Sequence, residues 1–230
     1  MNYQVIFLDI DNTLLDFEQA EICAFQKTIE QIDYVYSEKV FKIYNEINNR
    51  LWQDLELGKM NVTTLKVKRF EELVHALGID CSGEALSKLY EKHLGEGGFE
   101  IEGAYETCQA LSKKYELAII TNGIANVQRS RIAQSSFASF IKKIFISEEI
   151  GISKPDAGIF EYALREMHIS DKRLALMVGD SPTSDMKGSQ NAGIDSCFFN
   201  PKGINLTQID QTIRPTYEIR KLTDLIKLLE

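Results

Sequence analysis

The chain has 230 residues, 44% of them hydrophobic, and its 34 acidic residues outnumber its 26 basic ones, which gives a formal net charge of −8. A chain this acidic, without a cluster of Lys and Arg residues, is a poor candidate for binding long nucleic acid through the phosphates. It contains no apolar run of about eighteen residues and no basic, signal-like start, so neither a membrane-spanning helix nor secretion is predicted. The four cysteines are scattered without a C-x-x-C pair. This favours free thiols in a reducing compartment, and we expect a cytoplasmic protein.

The first predicted element is a strand over residues 3–10. It is a short apolar run that ends in acids, as is typical of a strand buried on both faces of a sheet. Residues 17–93 then follow a helical pattern, because apolar side chains recur at steps of three and four and glycines separate the runs. Nothing in this block predicts a strand.

Beyond residue 95, short strands alternate with helices. Helices are predicted near 103–114, 124–138, 156–167 and 183–192, and the apolar strands that follow them near 117–120, 144–146, 174–178 and 197–199. The end of the chain, residues 214–230, predicts an edge strand and a closing helix. This alternation predicts an α/β fold with a Rossmann-like, doubly wound parallel sheet and right-handed crossovers.

The strand at 3–10 belongs to the same sheet, which makes the helical block an insertion after the first strand. We therefore predict an α/β core domain formed by residues 1–15 and 96–230, and an all-helical domain formed by residues 16–95. The sequence contains no repeat, low-complexity tract or Pro/Gly-rich linker that would suggest a further division.

Polar residues follow four of the predicted strands. In open α/β sheets the ligand binds beyond the carboxyl ends of the strands, so these positions are the candidates for a site. The stretches are D9-I-D-N-T13, T121-N-G123, S153-K-P-D156 and G179-D-S-P-T-S-D185. Each has an ordinary explanation alone, as a helix N-cap, a turn or a solvated surface lysine. Together they predict that acids, a hydroxyl, an amide and a lysine converge at one edge of the sheet.

Asp9 and Asp11 are the hardest of these residues to explain structurally. Strand alternation puts both on the same side of the chain, at the end of a buried strand, where ionised carboxylates are costly without a positive partner. A hard divalent cation bound by oxygen ligands would remove that cost. The stretch therefore predicts a cation site.

The four stretches resemble, in order and spacing, the signature motifs of the haloacid dehalogenase-like phosphohydrolases. The resemblance covers essentially the whole chain, including a helical cap inserted after the first strand. It implies that Asp9 is the nucleophile that forms an aspartyl-phosphate, and that Asp11 is the general acid and base. It also implies a Mg²⁺ cofactor held by Asp9, the main-chain carbonyl of Asp11 and Asp180, with Asp185 holding metal-bound waters.

The same resemblance implies roles for the remaining motif residues. Thr121 and the neighbouring main-chain amides, at Asn122 and Gly123, would bind the phosphate oxygens of the substrate. Lys154 would neutralise negative charge on Asp9 and on the transferring phosphoryl group.

The predicted substrate is a small phosphate monoester. The dehalogenases of this superfamily lack a carboxylate at the position of Asp11, so its presence favours phosphate esters. The stretch from Val178 to Pro201 resembles the pyrimidine 5′-nucleotidase branch, which implies dUMP, UMP or dTMP as substrate. The alternatives are another ester, such as phosphoglycolate, a sugar phosphate or an acyl-sugar phosphate, and a non-catalytic phospho-accepting module. The oligomeric state stays open, as does the role of Trp52, either stacking on the leaving group or packing in a core.

Overall fold

The computed structural model describes residues 2–230, apart from the side chain of residue 56. Its centre is a six-stranded sheet in the order β3-β2-β1-β4-β5-β6, in which every neighbouring pair is parallel. The strands are β1 (Val5–Leu8), β2 (Glu116–Thr121), β3 (Ile141–Ile146), β4 (Ala175–Gly179), β5 (Asp195–Phe199) and β6 (Tyr217–Ile219). The prediction of a doubly wound parallel sheet is confirmed.

The central strand β1 is buried on both faces. Val5 and Phe7 pack into the apolar cluster on one side of the sheet, and Ile6 and Leu8 into the cluster on the other. All four side chains have no exposed surface. This double burial explains why the strand is a continuous apolar run and not an alternating one.

The register of the sheet brings three strand ends together. Leu8 pairs with Ile119 of β2 and with Val178 of β4, and the main-chain N–H of Asp9 donates to the Val178 carbonyl at 2.9 Å. The residues that follow β1, β2 and β4 therefore leave the sheet side by side, at its carboxyl edge.

The segment between β1 and β2 contains four long helices. They are α1 (Phe17–Gln31), α2 (Glu38–Glu56), α3 (Val62–Leu77) and α4 (Gly83–Gly95). Side chains at the N-caps of three of them, Ser37, Asn61 and Ser82, each accept a hydrogen bond from the main-chain N–H three residues later. None of the helices described is long and apolar enough to cross a membrane.

Six further α-helices follow in the described part of the chain. They are α5 (Ala104–Leu111), α6 (Ala125–Gln134), α7 (Ser147–Ile150), α8 (Ala157–Glu166), α9 (Lys187–Ala192) and α10 (Asp224–Leu228). Two differ from the prediction. The helix predicted to extend to residue 138 ends at Gln134, and the one predicted near 183–192 begins as a π-helical turn over Pro182–Met186. The four-residue α7 was not predicted, because one turn carries no periodicity.

The chain divides into two compact units. The core unit contains the residues up to Asp16, Phe99–Ala125 and Ile132–Glu230, and the helical unit contains Phe17–Gly98 and Asn126–Arg131. The second range of the helical unit lies within α6. The sequence predicts this helix, but no pattern in it indicates that the helix groups with the helical unit. Within the helical unit, Trp52 packs beside the apolar cluster of Leu51, Leu55 and Leu65. No partner other than core side chains is described for it.

Candidate active site

Three aspartates meet at the carboxyl edge of the sheet. Asp9 follows β1, Asp180 follows β4, and Asp185 lies in the π-helical turn after β4. One carboxylate oxygen from each lies within 4.8 Å of the others. Asp9 and Asp185 are buried and Asp180 is half-buried. Such a cluster is costly unless positive charge or hydrogen bonds compensate it.

Lys154 supplies positive charge to this cluster. Its ammonium group donates to Asp9 Oδ1 at 2.6 Å, to Asp185 Oδ1 at 2.6 Å and to the main-chain carbonyl of Ile120 at 2.9 Å. These bonds use all three N–H groups of the lysine. The side chain is only 2% exposed, so that the ion pairs are shielded from solvent. The lysine after β3 is thus brought to the acids after β1 and β4.

Burial and mutual repulsion shift the pKa values of the cluster. Burial raises the pKa of Asp9 well above its usual value, and Asp185 raises it further, although Lys154 opposes the shift. Burial and Asp185 also raise the pKa of Asp180 to about 7. Burial lowers the pKa of Lys154, but Asp185 and Asp9 outweigh it, and the net pKa is raised. The two ion pairs therefore favour the charged form of Lys154, whereas burial and mutual repulsion make it costly to ionise the carboxyl groups together.

The turn after β4 holds Asp185 in place. Ser181 is the N-cap of the turn, and its hydroxyl accepts from the Ser184 main-chain N–H at 3.2 Å. The main-chain N–H of Ser181 in return donates to Asp185 Oδ2 at 3.0 Å. A Cβ placed on Gly179 would overlap the Asp185 carboxyl group. The glycine and the turn therefore let Asp185 fold back against the end of β4 and join the carboxylate cluster. The sequence predicts for Asp185 only the holding of metal-bound waters.

A residue that the sequence analysis assigned no role also contacts the cluster. The hydroxyl of Thr13, which is fully buried, donates to Asp180 Oδ1 at 3.3 Å. Thr13 closes the stretch D-I-D-N-T that contains Asp9 and Asp11. The only indication of this contact in the sequence is the spacing, a threonine four residues after Asp9 and two after Asp11.

The other predicted residues lie at the same strand ends. Asp11 is half-buried, two residues beyond Asp9, and forms an isolated bridge with Leu15. Its side chain is outside the carboxylate cluster. The predicted contact of Asp11 with a cation is through its main-chain carbonyl. The positions of the carboxylate side chains do not test that contact. Thr121 is the last residue of β2, and both it and Gly123 are buried.

Asn122 contacts the main chain of Lys154. Its Nδ2 donates to the Lys154 carbonyl at 2.7 Å, and its Oδ1 accepts from the Lys154 N–H at 2.8 Å. The T-N-G stretch therefore meets the S-K-P-D stretch directly, through a side chain that alone would be taken for part of a turn.

The donor set of the cluster fits a hard divalent cation. Three carboxyl groups with only oxygen donors face one ammonium group, which leaves excess negative charge when they ionise. Oxygen-only carboxylate sites suit Mg²⁺ or Ca²⁺, whereas zinc and copper sites in proteins usually include nitrogen or sulfur ligands. Among the described residues this is the group of acids, histidines and cysteines that could hold a metal ion.

The comparisons with known proteins agree with this fold. The sequence model described as haloacid dehalogenase-like hydrolase matches residues 5–199. The chain is 35% identical to YfnB of Bacillus subtilis over 227 residues, which cover 99% of this chain and 95% of YfnB. A crystal structure of YfnB bound to magnesium matches it with a TM-score of 0.91 and 34% identity, covering 100% of both chains.

Two relatives have names that state an activity. The pyrimidine 5′-nucleotidase PynA of Streptococcus pneumoniae is 34% identical over 232 residues, covering 100% of this chain and 96% of PynA. The pyrimidine 5′-nucleotidase YjjG of Escherichia coli is 29% identical over 229 residues, covering 100% of this chain and 99% of YjjG. These relatives support a phosphoric monoester hydrolase as the enzyme class. The match of the family model to residues 5–199 confirms the family resemblance seen in the four motifs, and the parallel sheet with acids at its strand ends agrees with it. The chain belongs to the haloacid dehalogenase-like hydrolase family.

Proposed function

We propose that this protein is a Mg²⁺-dependent phosphatase that hydrolyses pyrimidine nucleoside 5′-monophosphates, such as dUMP, UMP and dTMP, through a phosphoryl group carried on Asp9. The substrate class is supported by the similarity to PynA and YjjG over nearly their whole lengths. The chemistry is supported chiefly by one observation, the buried Asp9 carboxylate that accepts from Lys154 at 2.6 Å.

In the first step, an oxygen of Asp9 attacks phosphorus and the bond from phosphorus to the nucleoside oxygen breaks. Asp11 gives its proton to the leaving oxygen, so that the nucleoside departs as a neutral alcohol. In the second step, water attacks the aspartyl-phosphate, Asp11 takes the proton from that water, and the bond to Asp9 breaks. Covalent catalysis of this kind divides one difficult displacement into two easier ones.

Lys154 and Thr121 stabilise the negative charge on the phosphoryl group in these steps. The Lys154 ammonium favours the ionised, nucleophilic form of Asp9 against the effect of burial, and it lies beside the phosphoryl group as it is transferred. Thr121, with the main-chain amides of Asn122 and Gly123, binds the non-reacting phosphate oxygens. Donors that are already in position before the reaction stabilise developing charge without having to reorganise.

Asp9, Asp180 and the main-chain carbonyl of Asp11 would hold the Mg²⁺. When bound, the ion supplies positive charge that neutralises the carboxylates and the phosphate oxygens. Asp185 is fully buried and bonded to Lys154 and Ser181. It therefore holds the lysine against the cluster in addition to any contact with waters on the ion.

The replacement Asp9→Asn tests this proposal. It keeps the size of the side chain but removes the nucleophile, and we expect phosphate release from UMP, dUMP and dTMP to fall at least about 1,000-fold. Asp171→Asn is the matched control, because Asp171 is half-exposed and its side chain pairs only with Arg173 in the described structure. An Asp9→Asn variant that stays folded and active would rule out the covalent mechanism.

A panel of phosphate esters distinguishes the proposed substrate class from its alternatives. Asp9 and Lys154 act on the phosphoryl group, which all the candidate esters share, so these residues do not select the leaving group. We expect the highest kcat/KM for pyrimidine nucleotides over phosphoglycolate and sugar phosphates. Preference for one of the latter would move the proposal to another small ester. A phosphorylated Asp9 that persists for hours without turnover would instead identify a phospho-accepting module.

A further inference from the structure

The side chain of Asn122 is committed to the main chain of Lys154. The two hydrogen bonds, from Nδ2 to the carbonyl and from the main-chain N–H to Oδ1, are 2.7 and 2.8 Å long and close a ring between the two residues. Both heavy polar atoms of the carboxamide are therefore used. The second N–H of Nδ2 is not part of the ring, so the tests below separate a role in binding substrate from a role in holding Lys154.

Strand β2 and its first following residue hold Lys154 at both ends. The carbonyl of Ile120, in β2, accepts from the ammonium at 2.9 Å, and Asn122, two residues later, binds the main chain. The ammonium lies 2.6 Å from both Asp9 and Asp185. The position of the lysine backbone relative to β2 therefore sets whether its ammonium reaches both acids.

The segment around Lys154 has little other support of this kind. Residues 151–156, between α7 and α8, contain no helix or strand. A main chain outside regular structure depends on side chains, turns and water for its hydrogen bonds. Asn191 makes a comparable but single contact, donating to the carbonyl of Pro155 at 3.0 Å from an exposed position.

We propose that Asn122 is a positioning residue, which fixes the Lys154 backbone so that the ammonium reaches Asp9 and Asp185, and which acts on the reaction only through Lys154. The inference rests on the proposed function, in which Lys154 assists phosphoryl transfer to Asp9. It differs from the expectation drawn from the sequence, in which Asn122 belongs to the residues that bind the substrate. That expectation still applies to the main-chain amide, but the side chain has a different task.

The first test is the separation of kcat from KM. Asn122→Ala removes both bonds, and a displacement of the ammonium by about 1 Å lowers kcat on the order of 100-fold. Because a residue that acts only through Lys154 makes no contact with substrate, KM for UMP stays within about threefold. Asn191→Ala is the matched control, an Asn-to-Ala change that removes one bond to the neighbouring carbonyl, and it leaves kcat within about threefold.

The second test is a double-mutant cycle with Lys154→Ala. If Asn122 acts through the lysine, then adding Asn122→Ala to Lys154→Ala lowers kcat no further. Turnover is measured with p-nitrophenyl phosphate, because its good leaving group keeps the residual rates measurable, and with UMP. Thermal unfolding of each variant checks the fold. Asn122→Asp, which is nearly isosteric but sets a carboxylate oxygen against the Lys154 carbonyl in place of the donated bond, is carried through the same cycle in case the alanine variant does not fold.

Two results would overturn the inference. One is a rise in KM with unchanged kcat in Asn122→Ala, which identifies a substrate ligand. The other is a double variant in which the two losses multiply. Failure of the proposed function looks different, because Asp9→Asn and Lys154→Ala would then keep their activity whatever Asn122 does.

Discussion

The position of Asp185 depends on the absence of a side chain at Gly179. Asp185 folds back over the end of β4, where it accepts from the Ser181 N–H and from Lys154. A Cβ on Gly179 would overlap the carboxyl group and lie 2.8 Å from the Asp185 Cβ. Since the obstacle is the fully buried base of a short side chain and not the free end of a long one, the turn has to shift to make room.

Gly179→Ala is therefore expected to damage the site more than the fold. Overpacking by one methyl group costs about 1–3 kcal/mol of unfolding free energy. Displacement of Asp185 releases one of the two carboxylates that hold Lys154, and kcat falls about 10- to 100-fold. Gly95→Ala is the control, because its nearest contacts would be at 3.4 Å. Steady-state kinetics and denaturant unfolding measure the two effects, and equal behaviour of the two variants would contradict the argument.

At the scale of elements, a buried polar network joins the four helices of the helical unit. Glu21 of α1 accepts from Asn48 and Tyr44 of α2 at 3.0 and 3.3 Å, and Asn48 accepts from Arg69 of α3 at 3.1 Å. The Arg69 guanidinium lies 4.6 Å from the ring centre of Tyr90, in α4. Arg69 is 1% exposed. In the described residues, its Nε and Nη2 have no hydrogen-bond partner.

This network predicts unequal effects of removing its members. Asn48→Ala leaves a buried guanidinium and a buried carboxylate with fewer bonds, and costs about 3 kcal/mol of unfolding free energy. Arg69→Met removes two unsatisfied donors and keeps the apolar stem against Tyr90, but it leaves Asn48 Oδ1 without a donor, so we expect a smaller cost of about 1–2 kcal/mol. Urea unfolding of both variants measures the difference. A larger loss in Arg69→Met than in Asn48→Ala would mean that the guanidinium has partners beyond those described.

At the scale of the whole molecule, the features predicted from the sequence are those whose physical cause is local. A strand buried on both faces must be continuously apolar, so β1 and the acids at its end were visible in the pattern. The convergence of Asp9, Lys154 and Asp180 followed from one rule about parallel sheets. The bonds of Asn122 to Lys154 were not visible, because a T-N-G tripeptide has the same composition whether its amide faces solvent or a loop 32 residues away. Similarly, no local pattern shows which residues of a helix cluster with another part of the chain.

Mg²⁺ is expected to stabilise the whole protein, and more strongly at high pH. Burial and Asp185 raise the folded-state pKa of Asp180 from 3.8 to about 7 in the metal-free protein. Between these values the folded state binds more protons than the unfolded state, so stability falls as pH rises, by at most about 4 kcal/mol. Above pH 7 the Asp180 carboxyl group is ionised in both states. The folded state then carries the full free-energy cost of this buried negative charge until a cation neutralises the charge.

The measurement is thermal unfolding at pH 5.5 and pH 8, with EDTA or with saturating MgCl₂. Protonated carboxyl groups do not bind the ion, so the increase in Tm caused by Mg²⁺ is larger at pH 8 than at pH 5.5. Asp180→Asn removes the titrating group and a proposed Mg²⁺ ligand together. The part of the pH dependence of Tm that Asp180 causes should disappear, and so should most of the increase in Tm caused by Mg²⁺. Asp171→Asn, at the surface, should retain both. An increase in Tm that is the same at the two pH values would show that the ion does not relieve the cost of ionising Asp180.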